Sequence, residues 1–143
     1  MTIGRPSPEF LALLLEHARA NADKIGVPMC FTVVDEAGHV VEISRMPGAG
    51  WATVDLSRGK ATVAAAFGKP TADLANGWAN ASLFTTALIV AGGGDFVPAP
   101  GGLPIRAQGQ AVGAIGASGG TGAQDTDVVT TALAAAEAAM ATG

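Results

Sequence analysis

A chain of 143 residues, 49% of them apolar and 14% charged, is long enough to bury a core without disulfide or metal staples and too short for a second domain. Its net charge of −4, scattered with no basic stripe, excludes the electrostatic footprint of a nucleic-acid binder. With few charges, 5% aromatics and no Tyr, much uncharged surface is left to cover, and a homo-oligomer is expected.

The opening MTIGRPSPEF lacks a basic segment followed by an apolar one, and no apolar run reaches the length of a membrane span. The chain therefore reads as soluble and cytoplasmic, a single domain over residues 1–143. Cys30, the one cysteine, has no partner for an intramolecular disulfide, in keeping with a reducing compartment.

Ser7-Pro8-Glu9 starts a helix, with a hydroxyl cap, Pro at the first helical position and an early acid. Leu11, Leu15, Ala18 and Ala22 give it an apolar face, and Gly26 stops it. Met29 to Val34 and His39 to Ser44 read as strands of a hairpin around Asp35-Glu36-Ala37-Gly38. After the loop Arg45-Met46-Pro47-Gly48-Ala49-Gly50, the Ala-rich segment from Thr53 to Phe67 is helix-permissive. Gly68-Lys69-Pro70 breaks it, and Thr71 is expected to cap a short helix through about Trp78.

Leu83 to Val90 is ambiguous, its Phe, Thr, Ile and Val content favouring a strand. Leu103 to Arg106 and Gln110 to Ser118 form a hairpin across Ala107-Gln108-Gly109. A last helix begins near Asp125 or Thr126, with Val129, Leu133, Ala136 and Met140 as its stripe. The order α-β-β-α-α-β-β-β-α predicts an α+β fold: a mainly antiparallel five-stranded sheet covered by helices.

The glycines carry the strongest local signal. Gly inside a strand marks close approach of a ligand, a helix or another backbone, and AVGAIGAS is too small to fill a core by itself. Residues 92–102 and 113–120 are therefore expected to wall a ligand site, with Gly93, Gly101, Gly102, Pro104, Ile105, Gly116 and Ser118 as contacts. The alternative is that these glycines serve close packing.

The same residues carry a resemblance. GGLPI, a Gly-containing turn, AVGAIGASGG and then Gln124-Asp125 opening a helix resemble the GlcG/HbpS-like family, whose members are described as haem-binding or haem-degrading and are related to the C-terminal domain of PduO-type proteins. Val34 to Val40 and Ser44-Arg45-Met46 are similar to the family's first hairpin and the loop after it, so nearly all of the chain is covered. The resemblance implies a profilin-like or PAS-like architecture, with haem or a related tetrapyrrole as ligand and a role in haem degradation. Gln108-Gly109 departs from the Asp-Gly frequent in relatives, and the stretch with Arg58 and Lys60 is less basic than theirs.

No Walker loop or dinucleotide fingerprint is present, and two His and one Cys in different elements give no zinc spacing. Ser118, His39 and Asp125 are the members available for a Ser-His-Asp triad. Arg45 is the leading cation for a carboxylate or propionate, with surface charge or intersubunit pairing as the alternative; Arg58 and Lys60 read as surface charge. Haem iron needs His, Cys, Met or Tyr, and His39 leads as metal ligand, followed by Met46 and Cys30. His17 reads as a partly exposed helix residue, and an ordinary exposed strand position is the alternative for His39.

Three functions are compatible with this chemistry. The first is an oligomeric haem or tetrapyrrole binder. The second is a lyase or isomerase in a catabolic or biosynthetic pathway, holding a carboxylate substrate with Arg45 and moving protons with His39 or Asp125. The third is a sensor or assembly module without catalysis.

Overall fold

The computed structural model describes residues 6–142, so the reading of the first five residues as free of a targeting segment lies outside them. The elements in chain order are α1 (Pro8–Ile25), β1 (Cys30–Asp35), β2 (Val40–Arg45), α2 (Ala52–Phe67), α3 (Thr71–Gly77), α4 (Ser82–Ala91), β3 (Gly102–Ala107), β4 (Gln110–Ser118) and α5 (Gly122–Thr142). The α+β class holds, but the described sheet has four strands rather than five, in the order β2-β1-β4-β3, each neighbouring pair antiparallel.

The missing strand is Leu83 to Val90, which is helix α4. Nearly every residue there is apolar or threonine, so neither a two-residue nor a 3.6-residue period stands out. As a helix the segment satisfies its own backbone, with Thr85 N–H on Ala81 O and Gly92 N–H on Leu88 O. Thr85 Oγ1 turns back onto Ala81 O and Ser82 O, the local bond that lets a β-branched residue sit in a helix.

The period-two alternation of the strands sorts side chains onto two faces. Phe31, Val33, Val112, Ile115 and Ala117 meet Leu14, Leu15 and Ala18 of α1 and Val128, Val129 and Ala132 of α5 in the large core. On the opposite face Val34 and Ala114 meet Ala61 and Ala64 of α2 in a core of small residues. On that face α2 rests on backbone. A Cβ on Gly116 would lie 2.1 Å from Ser57 O, and one on Gly102 would lie 2.4 Å from Lys60 O.

Local chemistry sets the ends of these elements. Ser7 Oγ accepts from Phe10 N–H, and Gly26 closes α1 in the left-handed region. The β3–β4 turn places Gln108 and Gly109 both at positive φ, +54° and +79°, the requirement of a two-residue hairpin turn whose twist matches its strands. The cap of α5 lies earlier than Asp125: Thr121 Oγ1 accepts from Gln124 N–H and Gln124 Oε1 accepts from Thr121 N–H, a reciprocal capping box. Thr71 is not a cap, since its buried Oγ1 accepts from Gly102 N–H at 2.7 Å and ties α3 to the sheet.

Candidate functional site

The hairpin between β1 and β2 is fixed by one carboxylate. Asp35 Oδ1 accepts from Ala37 N–H at 2.9 Å and His39 N–H at 3.0 Å, a local turn that holds His39 at the head of β2. The imidazole Nδ1 lies 3.8 Å from Asp35 Oδ2, and the side chain is 81% exposed. A carboxylate beside Nδ1 leaves Nε2 as the nitrogen suited to a metal, the arrangement common for ligating histidines.

His39 stands on a cleft of about 530 Å³ bounded by the hairpin turn, α2 and the segment after α4. Arg58, Thr62, Gly92, Asp95 and Phe96 are its other principal walls. Arg58 Nη1 donates to Asp95 Oδ1 at 2.9 Å and Nη2 to Asp55 Oδ1 at 3.3 Å, so the guanidinium fastens the loop after α4 to α2. The Phe96 ring lies against Gly92, where a Cβ would fall 2.6 Å from Phe96 Cγ. Gly93 follows in the same loop, exposed and at φ +61°.

The other expected residues do not gather here. Arg45 is at the far end of β2 from His39, roughly 17–20 Å away along a strand of this length. Cys30 is fully buried and presents no sulfur to a ligand, while Met46, 7% exposed, lines a separate groove with Arg19, Asp23 and Pro28 and its Sδ already accepts from Met29 N–H. Burial pushes the Cys30 thiol up, opposed by hydroxyls of Ser57 and Thr53 and by the charge of Arg45.

Gly92 of the expected glycine wall lines the His39 cleft, but the rest of that wall from Gly101 onward is occupied by protein. Gly101, Gly102 and Gly116 are buried against α2, Asp125 and neighbouring backbone, and Pro104 and Ser118 are buried with them. Ile105 faces the large core. At Gly102 and Gly116 the close approach is that of the α2 backbone, and at Gly101 that of Ala117 O on β4.

Asp125, 2% exposed, accepts from Lys60 Nζ at 3.0 Å through Oδ2 and from Gly120 N–H at 2.9 Å through Oδ1. Lys60 Nζ also donates to Ala117 O at 2.9 Å. Asp125 is thereby a buried anchor remote from the His39 cleft, and Ser118, His39 and Asp125 do not assemble as a triad. Lys60, which reads as surface charge in the sequence, is buried; its spacing of three from Ser57 and four from Ala64, both buried, is the signal for that.

A second groove, of about 640 Å³, runs between α1 and β2 past Leu11, Glu16, Arg19 and Glu42. It carries no haem-ligating side chain. Among the described residues no helix is long and apolar enough to cross a membrane.

The pattern of the family described as "Haem degrading protein HbpS-like" matches residues 9–134. The chain belongs to the HbpS-like family. A 15.0 kDa protein of the dhaT-dhaS intergenic region of Citrobacter freundii is 34% identical over 121 residues, 84% of each chain. Among solved structures, Klebsiella pneumoniae ORFY superposes with a TM-score of 0.87 at 27% identity, covering 96% of this chain and 94% of that one. The PduOC:heme complex superposes with a TM-score of 0.83 at 31% identity, covering 92% and 94%. The two solved structures share the fold of this HbpS-like chain along nearly its full length.

Proposed function

We propose that this HbpS-like protein binds haem or a related tetrapyrrole at the His39 cleft. The observation that carries the reading is the exposure of His39 on a cleft of about 530 Å³, while Cys30 is sealed in the core and Met46 Sδ is already engaged by Met29 N–H. A cleft of this size is ordinary for a small-molecule ligand. Membership of a family described as haem-degrading and likeness to a haem complex give the ligand class.

In this reading His39 supplies the axial nitrogen, Asp35 orients the imidazole, Phe96 offers an aromatic wall, and Arg58 offers a guanidinium for a propionate in competition with Asp95. Bound haem would supply the iron chemistry that degradation requires; the chain supplies binding, orientation and charge. Arg45, with its charge at the opposite end of β2, has no part at this cleft. The separation of Arg45, His39 and Asp125 also disfavours a lyase or isomerase built on those three. Self-association and a cytoplasmic location complete the proposal, the former supported by exposed apolar side chains such as Trp51, Leu83 and Val90.

A visible spectrum of the purified protein followed by haem titration tests the reading. A saturable Soret band is expected, altered by His39→Ala and left unchanged by His17→Ala. Identical spectra for the two variants would exclude His39 as the ligand, and no saturable band would exclude haem.

A further inference from the structure

Helix α4 is unlike the other helices in what it exposes. Leu88 is its one buried residue, while Leu83 is 86% and Val90 74% exposed. Between Asp73 and Asp95 the chain carries no charged residue. The helix is held by aromatic edges: the Trp78 ring lies 5.1 Å from both Phe67 and Phe84 in T-shaped contacts. Those contacts fix one side of α4 and leave the other to solvent.

The outward side has a definite pattern. Leu83, Thr86, Ala87 and Val90 are all exposed and fall at i, i+3, i+4 and i+7, one stripe of a helix. The large side chains stand at its two ends and the small ones in the middle. Two such stripes match when they run antiparallel across a twofold axis: the helices approach at Thr86 and Ala87, and Leu83 of each meets Val90 of the other. An isologous contact demands this reciprocity, in which residue i meets j and j meets i.

Charge favours the same occupant. Each copy carries −4, and α4, which has no charged residue, lets two copies meet without setting like charges face to face. A membrane surface fits poorly, since interfacial helices carry Lys and Arg on their polar side and this one is flanked by Asp73 and Asp95.

We infer that α4 pairs antiparallel with α4 of a second copy and brings the partner subunit's Leu83 to the rim of the His39 cleft. The second clause rests on the haem reading of that cleft. It follows from the register: Ala91 and Gly92, which line the cleft, come directly after Val90, the residue opposed by Leu83 of the partner subunit. Each copy then lends an apolar edge to the site of the other.

The test uses the full chain. Ala87→Cys, next to the proposed axis, should give a covalent dimer on mild oxidation, whereas Ala134→Cys, exposed on α5, should not; Cys30 is buried in both. Leu83→Lys and Val90→Lys should each lower the mass seen by sedimentation without lowering the melting temperature of the dissociated chain. Folded Leu83→Lys should bind haem several-fold more weakly, although Leu83 does not line its own cleft.

No cross-link at position 87, or equal cross-linking at 87 and 134, would overturn the pairing. So would co-sedimentation of the wild type with phosphatidylserine vesicles through Leu83 and Val90. Unchanged haem affinity in a dissociated Leu83→Lys would overturn the shared rim. A cross-link at 87 with no haem uptake by the wild type would remove the haem reading and support the helix pairing.

Discussion

Lys60 Nζ and Asp125 Oδ2 lie 3.0 Å apart, with side chains 8% and 2% exposed, and join α2 to α5 beside Ala117 O near the end of β4. Removing one partner leaves a buried charge, a change that costs about 3–5 kcal/mol, whereas replacing both by apolar groups of similar volume costs far less. Lys60→Met and Asp125→Leu should each destabilise strongly in urea at fixed protein concentration, and the double variant should recover most of the loss. Additive losses would show that packing, not charge, dominates.

The glycines separate into two classes by what a methyl group would meet. Gly116→Ala and Gly102→Ala drive a Cβ into α2 backbone and should cost about 3 kcal/mol or more. Gly93→Ala meets nothing within 4 Å and bears only the strain of φ +61°, about 1–2 kcal/mol. Thermal melts of the three variants check the order.

Burial raises the Cys30 thiol above its ordinary 9.0, so the folded protein disfavours the thiolate relative to the unfolded chain. The sign follows: stability is unaffected while the thiol is neutral in both states, and falls as pH rises from about 9.0 toward the folded value, where only the unfolded chain ionises freely. Cys30→Ala should flatten this alkaline decline. Unfolding midpoints compared between pH 7 and 10 measure it.

Thr121→Ala should lower stability by about 1 kcal/mol through loss of the cap of α5. Thr126 Oγ1 bonds to Gly122 O inside the helix, and Thr126→Ala should change stability by less. Equal losses would count against the cap at Thr121.

The parts of the fold legible in the sequence are those where one local rule acts without competition. Ser7-Pro8-Glu9 could only open a helix, and both hairpins carried turn residues at the required positions. At Leu83–Val90 the rule failed because an all-apolar segment has no face to reveal, so composition pointed to a strand and the chain formed α4. The glycines of β3 and β4 correctly announced close approach; that the visitor is α2 depends on long-range packing. The meeting of His39 with Arg58 and Asp95 is equally non-local, and Lys60 was hidden by the habit of placing every lysine in water.

The slender attachment of α4 has a kinetic signature. A helix held by Leu88 and one pair of ring contacts opens at little cost, and its backbone amides should exchange with deuterium far sooner than those of β1 and β4, which hydrogen-bond along both sides in the middle of the sheet. Dilution should accelerate exchange over residues 82–91 and leave β1 and β4 untouched, so deuterium uptake along one chain reports both the association of copies and the integrity of each.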